Sequence, residues 1–62
     1  MEITVVQKDG TITIEPMTKD LLYKLRAHGQ LTTVQLRTHL RQIGCLDETY
    51  LQAWLNQLDR KN

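Results

Sequence analysis

The sequence predicts an α+β domain, mostly helical, in which an N-terminal β-hairpin packs on a bundle of three helices. Three observations predict it. Apolar and polar residues alternate on both sides of Asp9-Gly10 over residues 2–15. Three later segments carry leucines at helical spacing. Each of those segments also opens in the same way, with an apolar residue, a capping residue, and a second apolar residue one turn into the helix.

The 62 residues suffice for one domain, residues 1–62, without repeats or linkers. A chain of this size buries only about 60% of the surface its unfolded form exposes, so the core must use most of the apolar residues. These make up 40% of the chain, against 24% charged residues of both signs, which is the composition of a folded domain and not of a disordered tail.

The hairpin spans residues 2–15. Asp9-Gly10 is a strong signal for a two-residue turn, in which both turn residues need positive φ. That turn pairs Lys8 with Thr11. It gathers Ile3, Val5, Ile12 and Ile14 on one face and leaves Val6 alone on the wrong one, whereas a three-residue loop scatters the isoleucines over both faces. The two-residue turn is therefore expected, with the isoleucine face against the helices, because a lone hairpin is marginal in water. The outer edge, Ile3 to Gln7, is open to strand addition by a second copy, giving a homodimer through the hairpin edge; the commoner case is an edge blunted by threonines and end charges.

Pro16 closes the second strand, and Thr18 caps a first helix over residues 19–28, with Met17 set to staple onto Leu22 and with Leu21, Leu22 and Leu25 as its buried stripe. Gly29 supplies its left-handed stop. Thr32 and Gln35 form a capping box for a second helix over 33–43, stapled by Leu31 and Leu36 and stopped by Gly44. Asp47 caps a third helix over 48–60, with Leu46 and Leu51 as the staple and with Leu51, Trp54, Leu55 and Leu58 as a broad apolar face.

Several functional classes find no support. One cysteine, Cys45, excludes an internal disulfide and reads as a packed turn thiol; His28 and His39 lie eleven positions apart without metal-ligand spacing. His28 suits a helix C-terminus, and His39 a half-buried position with one nitrogen bonded. No glycine-rich phosphate loop or nucleophile motif occurs, and the carboxylates sit at turns and helix starts, so neither an enzyme nor a cofactor is expected. Trp54 reads as a core anchor, and Tyr23 and Tyr50 as flanking rings with hydroxyls reaching water; the three do not obviously cluster into a base-stacking platform. No apolar run approaches the roughly 20 residues that span a bilayer, and the start lacks a signal-peptide pattern, so the expected compartment is the cytoplasm, with no membrane partner.

Net charge is +1 but uneven: residues 1–17 sum to −2, residues 18–44 to +4, and residues 45–62 to −1. In the basic middle third, Arg37 and Arg41 stand four apart and outward on helix 2, as phosphate contacts require. On helix 3, Thr49, Gln52, Asn56 and Arg60 share one stripe opposite Trp54 and Leu58, flanked by Ala53. These are side chains able to read base edges from a helix in the major groove; equally, any amphipathic helix has a polar solvated face.

From Leu31-Thr32 through Gln35-Leu36 and Leu40, and from Tyr50-Leu51 through Leu55, Asn56 and Leu58, the chain resembles the helix-turn-helix half of winged-helix regulators of the deoxyribonucleoside-repressor type. The resemblance covers about residues 31–61 and rests mostly on leucine spacing. It implies a winged-helix-like fold and a small transcription regulator that binds duplex DNA, with helix 3 reading and helix 2 bracing it. Two departures stand beside it. The hairpin here precedes the helices where the family's wing follows them, and it can instead pair near Gln30 and Leu31; and Asp47 and Glu48 place acid at the start of the reading helix. The alternative reading is a protein-interaction module, an accessory or regulatory subunit that docks through a helical face or the hairpin edge.

Overall fold

A computed structural model describes residues 1–60. The chain runs β1 (Glu2–Val6), β2 (Ile12–Pro16), α1 (Lys19–Ala27), α2 (Thr33–Gln42) and α3 (Glu48–Arg60), the expected hairpin followed by three helices. Lys61, the last residue of the resemblance, lies outside the described residues.

The hairpin is antiparallel, but its register differs from the expected one. Val6 pairs with Ile12, Val5 with Thr13, Thr4 with Ile14 and Ile3 with Glu15. The Gln7 amide donates to the Thr11 carbonyl at 2.8 Å, and the Gly10 amide to the Gln7 carbonyl at 3.0 Å, so Lys8, Asp9 and Gly10 form a three-residue loop. The reason is conformational. A two-residue turn of the expected type needs positive φ at Asp9 as well as at Gly10, whereas here Gly10 alone takes it, with φ 88°. Asp9 instead accepts a 2.9 Å hydrogen bond from the Thr11 amide. Bonds from the Thr11 hydroxyl and then its amide hold the Asp9 carboxyl below the usual carboxylate range.

The shift of one residue moves Ile12 and Ile14 to the opposite face. The inner face carries Ile3, Val5, Gln7, Thr13 and Glu15; the outer face carries Thr4, Val6, Ile12 and Ile14. Polar groups on the inner face satisfy one another: Gln7 Nε2 donates to Thr13 Oγ1 at 3.0 Å and to Glu15 Oε2 at 3.4 Å, and Thr13 Oγ1 donates to the same carboxylate at 3.3 Å. Pro16 occupies a pair whose N–H would point away from β1, so its missing donor takes nothing from the ladder, which continues with the Met17 amide on the Met1 carbonyl.

The helices follow their caps. Thr18 Oγ1 accepts from the Leu21 amide, and Asp47 Oδ1 from the Tyr50 amide. Thr32 and Gln35 complete a capping box, each side chain accepting from the other's amide at 3.1 and 3.0 Å. α1 and α2 end one residue before the expected limits, with His28 and Ile43 as C-caps. Beyond them Gly29 and Gly44 take positive φ, and paired bonds from Gly29 and Gln30 to the carbonyls of Arg26 and Leu25, and from Gly44 and Cys45 to those of Arg41 and Leu40, close each end.

Leu22, Leu36, Leu40 and Leu51 are fully buried and form the core with Tyr23. Met17, Leu31 and Leu46, the three residues that precede the caps, pack against it, together with Ile3, Ile43, Trp54 and Leu55. Two side chains depart from expectation. Leu21 is only half-buried while Tyr23 is buried in its place, and Cys45 is exposed, not packed, because the turn after Gly44 points it outward.

Candidate functional site

Two surfaces on which a partner could be held, and a cleft, stand out among the described residues. The first surface is the polar face of α3. Thr49, Gln52, Ala53, Asn56 and Arg60 are all exposed, as their spacing predicts. Gln52 Nε2 donates to Asn56 Oδ1 at 3.2 Å, so two of the five side chains hold each other along the helix. Arg41 is exposed and has no ionic partner among the described residues.

Arg37 is engaged. Its Nε lies 3.2 Å from Glu48 Oε1, which ties α2 to the first turn of α3. That nitrogen is shielded from water and makes no aligned hydrogen bond, so the contact is an ion pair without a directed bond. The acid at the start of α3 thus has structural work, with Asp47 capping the helix and Glu48 neutralising Arg37.

The second surface is the outer face of the hairpin. Val6, Ile12 and Ile14 are 49%, 66% and 68% exposed. Strand alternation places Thr4, Val6, Ile12 and Ile14 on one continuous side with no charged group between them. Sequence reasoning missed this face because it chose the shorter turn. The signal was Val6, the one apolar residue that the shorter turn could not place.

Neither hairpin edge offers an uninterrupted row of backbone groups. Gln30 Nε2 donates to the Val6 carbonyl at 3.0 Å, so the segment after α1 meets β1 through a side chain, while the sheet keeps two strands. On β2 the outward groups belong to Ile12, Ile14 and Pro16, and Pro16 has no N–H to give.

The cleft, of about 570 Å³, separates the inner face of the hairpin from α1. Val5, Leu21 and Leu25 line it with Glu15, Lys24 and His28. Among the described residues no three His, Cys, Asp or Glu side chains converge as metal ligands. His39, half-buried, places Nδ1 3.3 Å from Gln42 Oε1 as expected, and His28 is exposed at the end of α1.

The aromatic rings cluster, which their spacing in the sequence did not make obvious. Tyr23 meets Trp54 edge-on at 4.8 Å and Tyr50 at 5.5 Å, because α1 and α3 bring the flanks of two leucine stripes together. The cluster is no stacking platform: Tyr23 is buried, Trp54 half-buried, and only Tyr50 is exposed, with the Lys19 ammonium 5.5 Å from its ring. The Tyr23 hydroxyl does not reach water and has no hydrogen-bond partner among the described residues. Burial, then the neighbouring Tyr50 and Asp47, push its pKa up.

No protein family, curated protein or solved structure matches the chain. Among the described residues no helix is long and apolar enough to cross a membrane.

Proposed function

We propose that the chain is a protein-interaction module, an accessory or regulatory subunit that docks through the outer face of its hairpin. One observation carries the reading: Val6, Ile12 and Ile14 stand exposed on a single sheet face, with no charged group between them. Contiguous apolar surface of this kind marks interaction sites on folded domains. A near-neutral net charge of +1 agrees with a protein partner better than with a polyanion. Photo-crosslinking in the cells that make the protein tests it. A crosslinker at position 14 is expected to give protein adducts where one at position 52 gives none; adducts from position 52 alone overturn it.

A second reading, favoured by the exposed stripe of Thr49, Gln52, Asn56 and Arg60 and by the unengaged Arg41, is duplex-DNA binding with α3 as the reading helix. It is the function that the winged-helix resemblance implies. It requires salt-dependent binding to duplex DNA in fluorescence anisotropy, weakened in an Arg37→Ala/Arg41→Ala double variant. Absence of binding at low salt, where phosphate contacts are strongest, overturns it.

A further inference from the structure

We propose that the occupant of the hairpin's outer face is a second copy of the chain, its hairpin stacked face to face and antiparallel on the first. The inference rests on the docking reading above and names the partner.

Area is the first argument. Thr4, Val6, Ile12, Ile14 and Pro16, which share the outer face, together expose on the order of 400 Å², within the range for the largest patch on a monomer. Two such faces in contact remove on the order of 800 Å² from water, at the low end of the interface range, where association is weak and transient. An interface of that size describes a weak, reversible dimer, closed by a twofold axis. Edge-to-edge pairing is the poorer route, since Gln30 occupies the Val6 carbonyl on β1 and Pro16 lacks a donor on β2. It would also leave the apolar face bare. Face-to-face stacking covers that face, at the sheet spacing of about 10 Å seen in sandwiches.

Charge is the second argument. Glu2 lies at the open end of the hairpin, on the outer face, and Lys8 at its tip; both are exposed, and neither has an ionic partner among the described residues. Asp9, the other charge at the tip, is turned back onto the Thr11 amide. When two hairpins stack antiparallel, the open end of each lies over the tip of the other. Glu2 of one copy then faces Lys8 of its partner, twice per dimer, at the rim of an uncharged centre.

Sedimentation equilibrium on the full chain, from about 5 µM to about 1 mM to cover the weak end of specific association, tests the proposal. The average mass is expected to rise from one chain toward two. Ile12→Thr/Ile14→Thr is expected to weaken association by about tenfold or more, with unchanged far-UV circular dichroism, because both side chains are exposed in the single chain. Glu2→Lys and Lys8→Glu are each expected to weaken it by about threefold, and the two together to restore it. Three outcomes overturn the proposal: a chain that stays monomeric throughout, association that survives the double threonine variant, or charge reversals without rescue. A monomer that still forms adducts with another protein from position 14 leaves the docking reading in place and removes only the second copy. A monomer without adducts removes both.

Discussion

Val6 and Ile12 face each other across the hairpin, and both side chains point away from the helices. They form a pair without mutual backbone hydrogen bonds, since the bonded pair is the next one, Gln7 with Thr11. Such pairs bring side chains closest, so the two residues build one apolar ridge on the solvent side. The ridge separates the sequence-based register from the observed one in stability as well as in position.

The register is tested by substitutions on the two faces. At low micromolar concentration, Ile12→Thr and Ile14→Thr are expected to change unfolding free energy by no more than about 0.5 kcal/mol, as exposed positions do. Leu51→Ala, in the core, is expected to cost about 2–5 kcal/mol and to leave so small a domain largely unfolded. Urea denaturation followed by circular dichroism measures all three. A loss of several kcal/mol at Ile12 or Ile14 would return them to the inner face.

Gly10 tests the turn. Its φ of 88° suits glycine, and a Cβ added there would meet nothing within 4 Å, so the penalty of Gly10→Ala is purely conformational. We expect a loss of about 1–2 kcal/mol. Urea midpoints of the variant and the parent chain check it, and an unchanged midpoint would mean that the loop adopts another form.

Tyr23→Phe removes a buried hydroxyl that has no partner. The ring contacts with Trp54 and Tyr50 remain, so stability at neutral pH is expected to stay level or to rise by about 1 kcal/mol.

The same residue gives a pH signature. Burial raises the folded-state pKa of Tyr23 above its ordinary value, so the folded form holds the proton more tightly than the unfolded form does. The stability contributed by the neutral phenol is present below about pH 10 and is lost as pH rises through the folded-state value. Thermal melts from pH 8 upward are expected to fall more steeply in the parent chain than in Tyr23→Phe. Parallel curves would place that hydroxyl in water.

Glu48→Gln separates the structural from the nucleic-acid role of Arg37. As an exposed ion pair, Arg37–Glu48 contributes no more than about 1 kcal/mol, so the variant should fold normally. If α2 and α3 contact DNA, releasing Arg37 is expected to tighten binding and to steepen the salt dependence by about one phosphate contact. Anisotropy across a salt series reads both, and an unchanged slope would confine Arg37 to bracing α3.

The three helices were legible in the sequence because their determinants are local. Thr32 with Gln35, Asp47 with Tyr50, and Gly29 and Gly44 beyond the helix ends act within one turn of chain, and the residues ahead of the caps point straight at the core. The outward stripe of α3 was legible for the same reason, since helical periodicity alone sets it. The hairpin face was not. Asp9-Gly10 is compatible with a two- or a three-residue loop, and the choice between them turns every side chain of one strand over relative to the other.

By itself, then, the sequence determined that this protein is a hairpin followed by three helices, where each helix starts, and which residues cap it. Only the tertiary structure decided that Ile12 and Ile14 face solvent, that Glu48 engages Arg37, that Tyr23 is buried among other rings, and that Gln30 reaches the Val6 carbonyl. The physical reason is range. Caps and periodicity are set by neighbours in the chain, whereas a strand register, an ion pair between helices and the burial of a ring depend on residues that meet only when the fold closes.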